Sequence, residues 1–423
     1  MKGKKVAAVM LAGLMAAGLL MGCGSSSSGN ESSDASDETT QAQESSDGKQ
    51  KIELWHYFND ASQGAIDRIV EEYNASQDTY EVVSTYIDRE DMMNKYTLGA
   101  ISGELPDIGM VDNPDMASYI SLGVFQDITE LAESWGELDQ FYEAPLSTCY
   151  QDDKLYGLPN NTNSIVLYYN KDLLSAAGVE VPTTWDELKT AAQTLTADGT
   201  YGFAMSAQGS EEGTFSYIPW LYSAGGSTED MSGEAAQKSM EFLKSMMDDG
   251  SMSQEVVNWT QSDVANAFIA GKAAMMQNGS WQISALADSG VNYGIALLPK
   301  DVENSSCIGG ENFGICAGAN TDGAWDFLKY FSSKDVSADF CEEAGKFPVR
   351  ADAMDSKAIW SEDENYVTCA EALEVAVARG PEVQWPTISQ SIYTALQSVL
   401  LGEDTVDSAL GKAADTINEA VSE

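Results

Sequence analysis

A single two-lobed α/β body is what this sequence predicts, and three observations carry that expectation. Past residue 50, short β-rich runs alternate with stretches of helical amphipathic period, which is the signature of strands and helices sharing one core. The run SIVLYYN, residues 164–170, is continuously apolar, as suits a strand buried on both faces. No internal repeat and no Pro- or Gly-rich linker breaks the chain after residue 50. Its 423 residues, 43% of them hydrophobic, therefore have core enough for a bilobal unit rather than beads on a string.

The elements follow in order. MKGKK and the apolar run Val6–Met21 form a basic and then a hydrophobic segment, too short to span a bilayer comfortably, so residues 1–22 read as a secretory signal. The segment ends LLMGCGSSSSGN. A leucine three residues before Cys23, with glycine directly before it, resembles the bacterial lipobox, and the resemblance implies cleavage there and acylation of Cys23 with a diacylglycerol. Two chains suffice for stable anchoring. From Gly24 to about Gln50 the composition is Ser, Gly, Asp, Glu, Gln and Thr, which cannot offset its ordering entropy, so a flexible acidic tether is expected. IELW (52–55), YEVVSTYI (80–87) and PDIGMV (106–111) read as strands. Asp60, with Gln63 three residues on, starts a helix whose apolar face is Ile66, Ile69, Val70 and Tyr73. A short helix from Lys171 stops at Gly178, Pro182 turns the chain, and Thr184 with Glu187 makes a capping box for a helix buried through Leu188, Ala191, Ala192 and Leu195. The C-terminus is helical, through Ile388, Ile392, Leu396 and Val399, a stop at Gly402, and then Val406 to Ile417.

Charge narrows the function. With 67 acidic and 22 basic residues the formal net charge is -45, which disfavours nucleic acid and adsorption of the body to anionic lipid. Without Cys23, the cysteines are Cys149, Cys307, Cys316, Cys341 and Cys369, an odd set with no C-x-x-C spacing. Buried free thiols are expected, with a Cys307–Cys316 bridge the alternative. No zinc-protease helix, phosphate loop, nucleophile elbow or dinucleotide fingerprint is present. His56 is the single histidine; it shares strand parity with Leu54 and Ile52 and is expected to face a packed interior rather than a metal or a nucleophile. Neither catalysis nor a cofactor nor a metal is expected.

What the sequence does offer is aromatics where strands end: Trp55, Tyr57, Phe215, Trp281 and Trp385. Beside them lie Asn59, Asp60, Asp112, Asn113, Asn160, Asn163, Glu311 and Asn312. Ligands of α/β sheets bind at the carboxyl ends of strands. An aromatic face suits the C–H face of a pyranose, and amides and carboxylates suit its hydroxyls.

The segment LYGLPNNTNSIVLYYNKDLLSAAGVEVPTTWDEL, 155–188, closely resembles the bacterial extracellular solute-binding proteins of family 1, which are maltose-binding-protein-like receptors of carbohydrate ABC importers. GELPDIGMVDN, GVFQDIT, FIAGKAAMMQNGSW, YGIALLP, GGENFGICAGAN and GKFPVRADA resemble further family segments in the family's order. The resemblance implies a type II periplasmic-binding-protein fold: two α/β lobes about a ligand cleft, lobe one from 51–158 and 297–330 and lobe two from 159–296 and 331–423, with crossings near Pro159, Leu298 and Phe331. It places Tyr57, Asn59, Asp60, Asp112, Asn113, Phe215, Trp281 and Trp385 at the cleft, with Asn160 and Asn163 at the crossing. One departure is that the first loops carry amides and tyrosine where relatives nearest maltose-binding protein carry carboxylates, which points away from maltodextrin. The implied protein is a monomeric lipoprotein on the outer face of the cell membrane. It binds a mono- or oligosaccharide by hinge closure and delivers it to permease subunits. A receptor for a cationic solute, a glycan-cleaving enzyme and an adhesin are the alternatives.

Overall fold

The computed structural model describes residues 48–422 apart from Pro381. The expected signal, Cys23 and the tether up to residue 47 lie outside the described residues. The expected end of the tether overlaps the first strand. Gln50 already belongs to the first strand, and the Lys49 ammonium donates to the carbonyls of Asn74 (2.5 Å) and Gln77 (2.7 Å).

In chain order the strands are β1 (Gln50–His56), β2 (Tyr80–Tyr86), β3 (Ile108–Asp112), β4 (Tyr150–Gln151), β5 (Lys154–Leu155), β6 (Gly157–Pro159), β7 (Asn163–Asn170), β8 (Tyr201–Ala204), β9 (Ala273–Gly279), β10 (Tyr293–Ala296), β11 (Ser306–Gly309), β12 (Glu311–Ile315) and β13 (Ala376–Val377). They form two main sheets. The first is ordered β2-β1-β3-β12-β6, and the second β13-β11-β7-β9-β8 with β10 beside β7. In the first sheet β1 runs parallel to β2 and β3, while β12 returns antiparallel to β3. In the second, β7 pairs antiparallel with β9, β10 and β11, and its residues 163–168 are buried, as its unbroken apolar run requires.

Alternation along β1 sends Ile52, Leu54 and His56 into one core, where Ile66, Ile69, Val70 and Tyr73 of the helix Asp60–Ser76 cover them. The second lobe repeats the logic with the helix Trp185–Leu195. Thr184 Oγ1 accepts from the Glu187 amide (3.3 Å) and Glu187 Oε2 accepts from the Thr184 amide (3.2 Å), and Leu188, Ala191, Ala192 and Leu195 are buried beneath. Helices Trp385–Leu400 and Val406–Ser422 pack on each other across Gly402. Among the described residues no helix is long and apolar enough to cross a membrane.

The chain passes between sheets at Asn160–Thr162, linking β6 to β7, and at Gly310, linking β11 to β12. Two expected boundaries move. The segment 297–330 was assigned to lobe one, but β11 within it pairs with β7, so the second crossing falls at Gly310 rather than Leu298. Gly310 has φ +147, and a Cβ there would meet the carbonyl of Asn161, so only glycine turns the chain at that place. The third boundary was set at Phe331, yet the next helix, Lys334–Glu343, packs on Asp60–Ser76 of the first lobe. Its Phe340 lies 5.0 Å from Phe58 and 5.1 Å from Phe331, ring centre to ring centre. The second lobe resumes by the helix Glu364–Glu374, which covers β7. Cys149, Cys307, Cys316, Cys341 and Cys369 are free and buried, and β11 and β12 lie in different sheets, so no hairpin brings Cys307 to Cys316.

Candidate functional site

Between the carboxyl ends of the first sheet's strands and the second lobe lies a cavity of about 1010 Å³, at the upper end of the ~300–1,000 Å³ usual for small-molecule sites. Tyr57, Asn59 and Asp60 enter it just past β1, Asp112 at the end of β3, and Glu311 at the start of β12. The second lobe supplies Asn163, Phe215 and Trp281.

Asp60 starts its helix, as expected, but not through a capping box. It holds φ 48, and its Oδ2 accepts from Ser262 Oγ (3.1 Å) on the helix Gln261–Ile269 of the other lobe, while Gln63 turns away to Asp67. The carboxylate that looked like a local cap is thus a contact across the cleft.

Asp112 carries the densest electrostatics. Its two oxygens accept from Arg379 Nη1 (3.0 Å) and Nη2 (3.1 Å), a bidentate pair, and Arg89 adds a second short ion pair. Burial alone would raise its carboxyl, but Arg379 and Arg89 prevail and hold it below the ordinary carboxylate range. Arg379 also pairs with Glu211 Oε1 (2.5 Å) and lies 4.1 Å over the Phe215 ring. Glu211 in turn accepts from the Trp385 indole N–H (3.3 Å) and from Ser389. At the other end Lys346 pairs with Glu311 (2.9 Å), which also accepts from Asn161 (2.6 Å).

The aromatic side is simpler. Phe215 and Trp281 stack at 6.0 Å with planes 18° apart. A Cβ on Gly279 would collide with the indole, so the glycine of G-x-W lets Trp281 fold back over its own strand. Among the residues that line the same cavity, four buried side-chain atoms lack partners within the protein: Asn163 Oδ1 and Arg379 Nε near Phe215, Ser210 Oγ, and, beside Arg89, Tyr57 Oη. Buried groups of this kind are ordinarily satisfied, which makes them the places where a ligand or water would add a hydrogen bond.

Of the expected site residues, Trp55, Asn113, Asn160, Asn312 and Trp385 do not line the cavity. Trp55 sits one pleat behind Tyr57, beneath Lys95 and 5.8 Å from Tyr96. Asn113 is buried, with its backbone N–H bound to Gly310 O (3.0 Å), and Asn160 braces the crossing through Glu311 O (2.9 Å). Asn312 faces away to Thr148 (3.0 Å). Trp385 is core, reaching the site only through Glu211. Sequence reasoning missed Arg89, Asp115, Glu211, Lys346 and Arg379, all of which line the cavity. One signal was present for Arg379: an arginine within the apolar AVARGP, in a chain with 22 basic residues, asks for a buried partner. His56 packs against Phe58 and Tyr86, and neither ring nitrogen has a partner; burial pushes its imidazole down to about 4, with Asp67 pulling weakly the other way. Among the described residues no group of three His, Cys, Asp or Glu side chains is placed to hold a metal.

Residues 68–368 match the family described as bacterial extracellular solute-binding protein. The galactooligosaccharide-binding protein of Bacillus subtilis is 28% identical over 332 residues, covering 74% of this chain and 77% of the relative. The sn-glycerol-3-phosphate-binding periplasmic protein of Rhizobium meliloti is 23% identical over 402 residues, covering 88% of this chain and 94% of its own. Among solved structures, an ABC transporter solute-binding protein of Thermotoga lettingae, bound with α-D-tagatose, superposes with a TM-score of 0.81 at 26% identity, covering 88% of this chain and 99% of that one.

Proposed function

We infer that this chain, which belongs to the bacterial extracellular solute-binding protein family, captures a saccharide in the cleft between its lobes and passes it to the permease of an ABC importer. Members of the family bind solutes and are not enzymes. One observation carries the saccharide reading: one cavity is lined both by the stacked Phe215–Trp281 pair and by Tyr57 and Asn163, whose Oη and Oδ1 have no partner within the protein. A sugar ring presents an apolar C–H face and a rim of hydroxyls, and this wall offers one surface for each. The tagatose-bound relative and the galactooligosaccharide-binding relative support the same class of ligand.

Capture works through the two lobes. Tyr57, Asn59 and Asp60 come from one and Asn163, Phe215 and Trp281 from the other, so a ligand touching both favours the closed arrangement by its differential affinity for it. In this reading lobe one holds residues 51–158 and resumes at Gly310, and lobe two starts at the Asn160–Thr162 crossing. The lipobox-like LLMGC anchors the receptor by an acylated Cys23 to the outer face of the membrane, where it acts as a monomer beside its permease. A thermal-shift panel of neutral saccharides on the purified protein tests this. A ligand at a hundred times its Kd adds about 2.7 kcal/mol of stability. Absence of any shift across the panel at millimolar concentration sinks the saccharide reading.

A further inference from the structure

The relatives of this chain include binders of a neutral oligosaccharide and of a phosphate ester, so the charge state of the ligand is an open property of the cleft. Three cationic side chains, Arg89, Lys346 and Arg379, line it. An anionic solute needs positive charge there that the protein's own carboxylates leave unbalanced. None is left. Arg379, 3% exposed, is held by both oxygens of Asp112 and by Glu211; Arg89 is held by Asp112; Lys346 is held by Glu311. Burial and the neighbouring Glu211 and Asp112 push the Asp115 carboxyl up, and even without it the lining acids Asp60, Asp112, Glu211, Glu212 and Glu311 outnumber the three basic side chains. To bind, a phosphate has to sit against Asp112 and Glu211, which already balance the two arginines, and like charges juxtaposed in a desolvated site are strongly unfavourable.

We propose that the pairing of Arg379 with Asp112 and Glu211 makes this cleft selective for uncharged saccharides over phosphorylated ones, and that Glu211 is the residue that sets the choice. The proposal rests on the saccharide reading of the cleft for its ligand, but not for its exclusion of anions. Glu211 is the partner to change. It is the more exposed of the two carboxylates, with a side chain 16% exposed against 6% for Asp112. Glutamine also keeps an oxygen to accept from the Trp385 indole and Ser389.

The test is calorimetric titration of the wild-type protein and of Glu211→Gln, at one ionic strength. The probes are sn-glycerol 3-phosphate, glucose 6-phosphate, and the neutral sugars tagatose, maltose and galactobiose. Thermal unfolding checks that the variant is folded. The wild type is expected to bind neither phosphate ester, and Glu211→Gln to gain affinity for sn-glycerol 3-phosphate by about tenfold or more. Binding of either phosphate ester by the wild type within tenfold of its best neutral sugar overturns the proposal, whatever the variant does. A folded variant that gains no affinity for the phosphate esters overturns the role given to Glu211. If the wild type binds no neutral sugar and yet the variant gains the phosphate ester, the exclusion of anions stands and the saccharide reading falls.

Discussion

One wall of the cleft is made of charges and the other of rings, and they differ in how completely they satisfy themselves. Around Asp112 each charged group has found its opposite inside the protein: Arg89 and Arg379 on the carboxylate, and Glu211 on the far side of Arg379. Around Trp281 the matching is incomplete, since Asn163 Oδ1, close to Phe215, has no partner and the half-buried Trp281 lines the cavity. The two walls meet where Arg379 lies on Phe215. A wall that is already paired supports and excludes, whereas an unpaired wall receives. Stability should therefore depend on the first and affinity on the second.

The largest expected effect breaks the charged wall. Asp112→Asn leaves Arg379 buried with one carboxylate instead of two, and stability should fall by about 3–5 kcal/mol, the usual result of removing one partner of a buried pair. Urea unfolding measures it. A loss below about 1 kcal/mol, the range of an exposed ion pair, would place Asp112 in solvent rather than in the wall.

His56 sharpens the contrast, being a buried polar group behind the cleft without any partner. Its pKa is lowered to about 4 by burial, against the ordinary ~6.5. The unfolded chain then binds a proton between those values while the folded one does not. The neutral imidazole's contribution is present above pH ~6.5 and is lost as pH falls toward ~4, by up to about 3 kcal/mol. The check is the pH dependence of stability in the wild type minus that in His56→Phe. Identical slopes over that window mean that His56 already holds a proton acceptor or donor in the folded state.

How much of this was legible depends on the range of the interactions. The strand of Ile52–Trp55, the capping box of Thr184 and Glu187, and the buried run of β7 rest on neighbours in sequence, so spacing reveals them. Tyr57, Asp60, Asp112 and Phe215 reach the cavity because strand ends and helix starts point there by topology. Trp385 misled because an aromatic beside proline at a helix start looks like a cleft residue, while its ring is spent on the core beneath Glu211. Beyond Asp112 and the arginine of AVARGP, the charged wall was not legible. Arg89, Asp112, Glu211 and Arg379 are scattered along the chain, and in a sequence with 67 acidic residues no particular carboxylate signals its partner.

The smallest of these effects on stability should be the largest on binding. Trp281 is half-buried, stacks on Phe215 and makes no hydrogen bond that holds the fold together. Trp281→Ala removes a flat apolar face from the cavity and should weaken saccharide binding about tenfold to a hundredfold, as for aromatic anchors elsewhere. Its midpoint of thermal unfolding should fall less than that of Asp112→Asn, because the surrounding ion pairs are untouched. Titration of the tightest saccharide from the neutral panel into both variants makes the comparison direct. If Trp281→Ala unfolds as readily as Asp112→Asn and binds as well as the wild type, the division of labour between the walls is wrong, because the rings would then be holding the lobe together and the ligand would be held elsewhere.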